Sequence, residues 1–335
     1  MASTLPLRAA LRHGALITAA NWPVVLIEFV IEALFKFALA VPVIGGALMV
    51  AVLVGDDLGT IFGQGVRAAA DLVIGSLATA PGALTSFFAA VGLVAFGGGI
   101  VMFIVKGGTL AVIVASEQTA VDIHRGPIHL EALQRAYAYD LGTILDATRR
   151  FARRSGLLAA GLSLSYLIIG WGYITALGVS FRIAETTTWT SAWPLLVLVA
   201  TSTSVILVTA VNLAFDLLRV IVITDDCRIR TAVSRLRAFL VADARQVLGI
   251  FGVVGLLVSA AMAVSVVTTA GLTFVAWVPF VSLIAVPLQV AAWLVRGLVF
   301  QYVGLTALAA YQTQYRRFTE PDSRPLTTPL WVQRA

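Results

Sequence analysis

Charge is what this sequence has least of. Only 12% of its 335 residues are Asp, Glu, Lys or Arg, and 59% are apolar. Soluble domains carry about 25% charged residues, so a soluble globule with a solvated surface is excluded. Lysine is nearly missing: Lys36 and Lys106 stand alone, and arginine supplies the other cations. With the abundant alanine, this points to a GC-rich bacterial genome. A single cysteine, Cys227, excludes an intramolecular disulfide. Catalytic signatures are missing too. No Walker motif, nucleophile elbow, HExxH or paired-aspartate transferase signature occurs. That argues against an enzyme and leaves no cofactor to expect.

What the chain does have is apolar runs of the length needed to cross a hydrocarbon core. They cover Trp22–Val54, about Ala83–Ala115, Gly156–Val179, Ala192–Ile223, Val247–Thr268, and about Phe274–Val299 with a continuation to Ala310. The fold they predict is all-α: a polytopic membrane protein with six transmembrane helices in three hairpins. The first run is too long for one perpendicular span and too short for two with a turn. Pro42, Gly45 and Gly46 mark a kink or a break in it. Arg8, Arg12 and His13 precede it, as in a signal peptide. Glu28, Glu32 and Lys36 inside it, and no clear small-x-small cleavage site, make it a retained first helix.

Arginine sets the predicted topology. Glu117–Ser155 contains Arg125, Arg135, Arg149, Arg150, Arg153 and Arg154, and Asp225–Gln246 contains Arg228, Arg230, Arg235, Arg237 and Arg245. The C-terminal residues add Arg316, Arg317, Arg324 and Arg334. The alternate loops hold few cations: Arg67 in Gly55–Gly82, Arg182 in Ser180–Ser191, and none near Thr269–Gly271. Cytoplasmic loops are the cation-rich ones. Both termini and both arginine-rich segments are therefore placed in the cytoplasm of a bacterial inner membrane. Six spans satisfy this pattern; five or seven do not. The net charge of +6 reflects this topology, so its partners are anionic headgroups rather than nucleic acid.

Shorter features fit the same frame. Ile61, Phe62, Val66, Leu72 and Leu77 share a helical face in the Gly55–Gly82 loop, with Arg67 and Asp71 on another, so a helix on the outer membrane surface is expected there. Trp189 and Trp193 flank the fourth span as interfacial aromatics. Amphipathic cytoplasmic helices are expected at Leu7–Ala20, Leu130–Arg154 and Ile229–Ala244, each ahead of a hairpin.

That order suggests a threefold repeat over 7–116, 130–224 and 229–310, in one membrane domain of residues 1–311 with a cytoplasmic tail of residues 312–335. Leu7–Leu11 (Leu-Arg-Ala-Ala-Leu) resembles Ile229–Val233 (Ile-Arg-Thr-Ala-Val), and Ile104–Gly108 (Ile-Val-Lys-Gly-Gly) resembles Leu294–Leu298 (Leu-Val-Arg-Gly-Leu). Leu217–Val220 (Leu-Leu-Arg-Val) supplies a third copy. In that register Lys106, Arg219 and Arg296 are equivalent.

The stretch Val211–Gly252 joins a span carrying Asn212, Asp216 and Arg219 to Thr-Asp-Asp-Cys-Arg-Ile-Arg-Thr-Ala-Val, a basic amphipathic helix and another span. This layout resembles the membrane domain that precedes the catalytic domain of some bacterial glycerophosphodiester phosphodiesterases, and related stand-alone membrane proteins. The resemblance implies a helical membrane fold. It implies no catalytic residues, because the spans fill the chain and leave no room for the hydrolase domain.

Ionisable residues at membrane depth are the candidate site. Lys106, Arg219 and Arg296 suit an anionic headgroup or solute, since the arginine fork matches phosphate. The plain alternative is that they snorkel to the headgroups, with Asp216 beside Arg219. Glu28, Glu32 and Lys36 line one helical face, as a polar seam, a cation-coupling site, or a structural pair. Asn212 and Asp216 share a face and are the expected partners of another helix's cation. Asp122, His124, His129 and Glu131 are permissible metal ligands, but their spacing matches no known site, so no metal is expected. Gly63-x-Gly65-x-x-Ala68 has no preceding strand and is not a dinucleotide fingerprint. Gly97, Gly98, Gly99, Gly107 and Gly108 predict close helix packing.

The residues support two functions. The first is a non-enzymatic inner-membrane accessory or scaffold protein that binds membrane lipids or another membrane protein through its basic amphipathic helices. The second is a transporter or channel for an ion or small anionic solute, in which Glu28, Glu32, Asp216, Arg219 and Arg296 surround a hydrated cavity.

Overall fold

The computed structural model describes residues 6–54, 81–120, 123, 130–186, 192–276 and 282–319. All regular structure among them is helical. In chain order the helices are α1 (Leu7–Ala20), α2 (Trp22–Val54), α3 (Pro81–Gly92), α4 (Gly99–Thr119), α5 (Leu130–Ala136), α6 (Leu141–Thr186), α7 (Ala192–Thr224), α8 (Ile229–Ala276) and α9 (Ser282–Thr319). A π-helical turn, Leu93–Gly98, joins α3 to α4. The expected Gly55–Gly82 surface helix, the Gly63–Ala68 glycines, Trp189, and Asp122, His124 and His129 lie outside the described residues.

Among the described residues, five helical stretches are long and apolar enough to cross a membrane: Thr85–Thr119, Leu141–Ile183, Trp193–Thr224, Ile229–Thr273 and Pro287–Thr319. The predicted all-helical membrane class therefore holds. α2 does not break at Pro42; it runs as one helix of 33 residues with Pro42 inside.

The arginine-rich segments join the spans differently from expectation. α1 is a separate helix ahead of its span, and the expected Leu130–Arg154 helix is split, with Leu130–Ala136 standing apart as α5. The rest of that segment, and the whole of the Ile229–Ala244 arm, merge with their spans. α6 runs unbroken from Leu141, and α8 from Ile229 with a kink at Asp243 (φ −126°, ψ 27°). The stretch Ile229–Thr273 has 45 residues, roughly 68 Å at 1.5 Å per residue. A hydrocarbon core is about 30 Å thick, so much of such a helix lies beyond it. The physical reason for the merger is that no glycine or proline interrupts either junction strongly enough to stop a helix.

The contacts divide the chain into two compact units, Val30–Phe103 and the remainder. In the first, a Cβ at Gly98 would meet the Phe35 ring at 2.9 Å and one at Gly46 would overlap the Phe87 ring. The partners run in opposite order along the chain, so the helices pack antiparallel. Glu32 and Lys36 of α2 form the expected i, i+4 pair at 2.6 Å.

The second unit keeps its core at one end. Buried runs lie at the C-terminal ends of three long helices: Leu110–Val114 of α4, Val220–Ile223 of α7 and Ala309–Tyr311 of α9. The arms that precede the spans cover them, each with one face buried. α1 contributes Ala10, Ile17 and Thr18; α6 contributes Ile144, Ala147 and Phe151; α8 contributes Ala232, Leu236 and Phe239. Their other faces carry exposed arginines: Arg8 and Arg12, Arg149 and Arg153, and Arg230 and Arg237. The far halves of α6–α9 present large exposed side chains such as Ile168, Trp171, Ile206, Leu256 and Val267. An apolar exterior on long apolar helices is what lipid contact requires, since lipid gives helices no hydrophobic reason to bury such groups.

Within this unit α6 and α7 pack antiparallel, with Tyr166 bonded to Asn212 and Tyr173 to Thr201. α8 and α9 do the same, joined by Phe239 and Tyr315 at ring centroids 5.5 Å apart. The small-residue expectation for α4 is met at Gly107 and Gly108. A Cβ at Gly108 would stand 2.7 Å from the Ile144 carbonyl oxygen, and one at Gly107 would stand 2.9 Å from Ser155 Oγ. α9 continues past residue 311, where the tail was expected to begin. Gln312, Thr313, Gln314 and Tyr315 are buried, because α1 and the α8 arm close over them.

Candidate functional site

Asn21 links three helices at the end of α1. The helix stops there with φ −105° and ψ 41°, and Pro23 sits in the first turn of α2, a position proline suits. The Asn21 side chain is completely buried. Its amide nitrogen lies 3.0 Å from the Ile17 carbonyl, 2.9 Å from Ser116 Oγ and 3.0 Å from the Ala136 carbonyl. Its oxygen accepts from the Ala138 N–H at 2.8 Å. Ser116 also donates to the Ala136 carbonyl. Just beside it, His13 Nε2 and Glu117 Oε2 are 2.9 Å apart, with both side chains under a tenth exposed.

Glu28 lies two turns into α2 and is 3% exposed. Its Oε1 accepts a 2.6 Å hydrogen bond from Thr109, and its Oε2 lies 4.0 Å from Lys106 Nζ. Lys106 and Thr109, three residues apart on α4, share the face that meets Glu28. This carboxylate therefore has a hydroxyl and an ammonium around it, as a buried charge requires.

Arg219 is 4% exposed, and its guanidinium donates to Asp216 Oδ1 at 2.9 Å, one turn earlier on α7. Asn212, expected beside Asp216 as a partner for a cation, accepts instead from the Tyr166 hydroxyl of α6. Arg296 on α9 has different surroundings. Its guanidinium reaches Met262 Sδ of α8 at 3.6 Å and lies 5.5 Å from the centre of the Phe300 ring. Among the described residues no carboxylate comes within 4.0 Å of it.

The structure thus brings Glu28 together with Lys106, and Asp216 with Arg219. The three cations stand at different places relative to the buried runs of their helices. Lys106 precedes its run, Arg219 lies within the wider buried stretch 217–223 of α7, and Arg296 lies more than two turns ahead of Leu305.

The Thr224–Arg228 turn between α7 and α8 carries a second cluster. Asp226 adopts φ 46°, a left-handed conformation that Asp tolerates better than most residues. Its carboxylate accepts from Arg150 at 2.6 Å and from Arg154 on α6. Burial pushes the Asp226 carboxyl up, but the hydrogen bonds and charges of Arg150 and Arg154 outweigh it and hold the group below its ordinary value. Asp225 accepts from Arg235 of α8 and from the Tyr315 hydroxyl of α9. Burial, with the Asp225 charge next, pushes the Cys227 thiol up. At the start of α6, Asp140 accepts from the N–H and hydroxyl of Thr143 at 2.8 and 2.9 Å, a helix N-cap. The backbone N–H and then the hydroxyl of Thr143 hold the Asp140 carboxyl low.

Of these groups, the Thr-Asp-Asp-Cys turn was visible in the sequence as a motif, though its partners were not. Asn21, His13 and Glu117 were missed. The only sequence signal for Asn21 was a polar residue between an arginine-bearing helix and Trp-Pro. Comparison of the chain with protein-family models, with curated proteins and with solved structures finds no match.

Proposed function

We propose that this protein is a non-enzymatic accessory or scaffold component of a bacterial inner membrane. It binds anionic lipid, or a membrane partner, through the arginine-bearing faces of α1, α6 and α8. One observation carries this reading: three arms each bury an apolar face against neighbouring helices and leave arginines on the outside. An array of guanidinium groups around the ends of apolar spans sits at headgroup height, where each cation contributes roughly 1 kcal/mol of attraction to an anionic leaflet. In this reading α2 is the sixth span, and six spans form three hairpins. Both termini and the Thr224–Arg228 turn face the cytoplasm. The likeness to the membrane domain ahead of bacterial glycerophosphodiester phosphodiesterases fits a lipid-associated role.

The transport reading needs ionisable groups to share a wet cavity. The geometry favours it less. Glu28 is enclosed by Thr109 and Lys106, and Arg219 is buried against its own helix's Asp216. The Glu28 contacts hold α2 and α4 in register, and the Asp216–Arg219 pair lies within α7 alone.

The test is to purify the protein in mild detergent and compare its co-purifying lipid with the lipid of the source membrane. Enrichment of anionic phospholipid is expected. Replacing Arg149, Arg153, Arg228, Arg230 and Arg237 with Gln should remove most of that enrichment. A folded protein that carries neither enriched anionic lipid nor a co-purifying partner would sink the reading.

A further inference from the structure

The outer halves of α8 and α9 do not close on each other. Between them lies a groove of about 780 Å³, bounded on α8 by Ala261, Ser265 and Thr268 and on α9 by Ala292 and Trp293, with Arg296 near one end. Small residues facing one another normally let membrane helices touch. Here they border a space. Its volume falls in the ~300–1,000 Å³ range of small-molecule sites.

Three features identify the occupant. First, most of the lining surface is apolar even though Ser265, Thr268, Thr269, Thr273 and Gln289 are among the lining residues, which favours a hydrocarbon chain over an aqueous solute. Second, the α9 wall runs from Leu288 to Val299, roughly 16 Å at 1.5 Å per residue. That is about half of a ~30 Å hydrocarbon core, the depth of one leaflet. Third, the one cation in the lining stands at the end nearer the arginine-bearing arms. Arg296 leans toward Phe300, one turn further in that direction, and toward Met262 across the groove. Its guanidinium therefore marks the mouth, and its charge has no carboxylate close by among the described residues.

We propose that this groove holds the acyl chain of one anionic glycerophospholipid, with the lipid phosphate on Arg296. The proposal rests on the lipid-binding reading above and names a specific site within it. The headgroup supplies the countercharge, and Arg296 offers phosphate a planar fork. The chain fills space that the α8 and α9 side chains leave open. Such a lipid is held between helices rather than attracted to a surface, so it survives washing that strips the annular shell.

Native mass spectrometry of the full chain, released from mild detergent after loading with phosphatidylglycerol, tests this. One retained lipid per chain is expected. Arg296→Gln should lower its occupancy at least tenfold, Arg296→Lys should restore most of it, and Ala292→Trp should block it without changing charge. Phosphatidylcholine should occupy the unmodified protein at least tenfold less, and inorganic phosphate should not be retained. The last two comparisons need no variant to fold. Equal retention of phosphatidylcholine, or full occupancy in both Arg296→Gln and Ala292→Trp, overturns the groove. So does a lipid-free dimer, which would assign the groove to a second copy. If the five-arginine variant loses its bulk enrichment while the single lipid is kept, both readings stand. If it loses enrichment while the groove variants change nothing, only the groove fails. If neither anionic lipid nor a co-purifying partner is found, both fail.

Discussion

Gly14 of α1 lies against the Thr306 carbonyl of α9 so closely that no larger residue fits. An added Cβ would stand 2.6 Å from that oxygen and 2.9 Å from the Ala310 nitrogen. Both are backbone atoms, which cannot swing away. Alanine is ordinarily the better helix former by about 1 kcal/mol, but overpacking costs about 1–3 kcal/mol. Gly14→Ala should therefore destabilise, lowering the thermal midpoint in detergent. An unchanged or higher midpoint would show that α1 does not pack this way.

Asp226→Asn keeps a side chain that accepts the left-handed backbone and removes the charge that Arg150 and Arg154 share. A loss of about 1 kcal/mol is expected, the scale of a partly exposed charged hydrogen bond. The Asp226 carboxyl is held low in the fold. Its contribution is then complete above the unfolded value of about 3.9, and fades as pH falls through the lower folded value. Denaturation of wild type and variant should differ at pH 7 and converge in acid. A difference that grows on acidification would contradict the assignment.

Glu28→Gln and Glu28→Ala separate hydrogen bonding from charge. The amide can still accept from Thr109 but offers Lys106 no countercharge. The alanine does neither and leaves Lys106 with one partner fewer at membrane depth. Removing one partner of a buried pair costs about 3–5 kcal/mol; Lys106 is only 18% exposed, but at 4.0 Å the pair is loose, so the lower end is expected for alanine. Glutamine should cost less. Equal and negligible effects, measured by thermal unfolding, would mean that the carboxylate serves something other than packing.

Asn21→Ala should cost about 1–3 kcal/mol, because the Ala138 N–H and the Ser116 hydroxyl lose a buried partner. Increased hydrogen exchange around Ala136 and Ala138 is the specific sign. Asn21→Asp should not rescue it, since the lost donor faced two carbonyls. Full rescue by Asp would refute the bonding pattern.

Cys227 is the single cysteine and sits in the turn assigned to the cytoplasm. A membrane-impermeant maleimide should label it in inverted vesicles and not in intact cells, slowly at neutral pH because burial raises the thiol. A Cys227→Ser protein carrying Gly271→Cys, where open space surrounds the Cβ, should show the reverse. Matching accessibility at both positions would overturn the topology.

The all-helical class and five apolar stretches were legible in the sequence because they depend on composition and run length, which need no partner, but the turn expected near Thr269–Gly271 lies inside α8, which runs on to Ala276. Glu32 and Lys36 were legible because a pair four apart needs only one helix. The Glu28–Lys106 contact needs the rotation of α2 against α4. His13 and Glu117 are 104 residues apart, and nothing local couples them. The arms of α6 and α8 were read as separate helices because their composition changes sharply, yet backbone hydrogen bonding carries on through a change of polarity. The Asp243 kink is the only backbone trace of that boundary in α8.

The Tyr302 hydroxyl bonds the Ala15 carbonyl across 287 positions of sequence, and Gly14 meets Thr306 beside it. During synthesis α1 leaves the ribosome long before the α9 residues it rests on. Until α9 has been made, α1 can pack only on α4, α5 and α8, and the strip around Gly14 and Ala15 that meets α9 stays uncovered. The α1–α9 contact therefore forms only after α9 has been made, and a chain stalled before α9 would leave the α9-facing side of α1 uncovered.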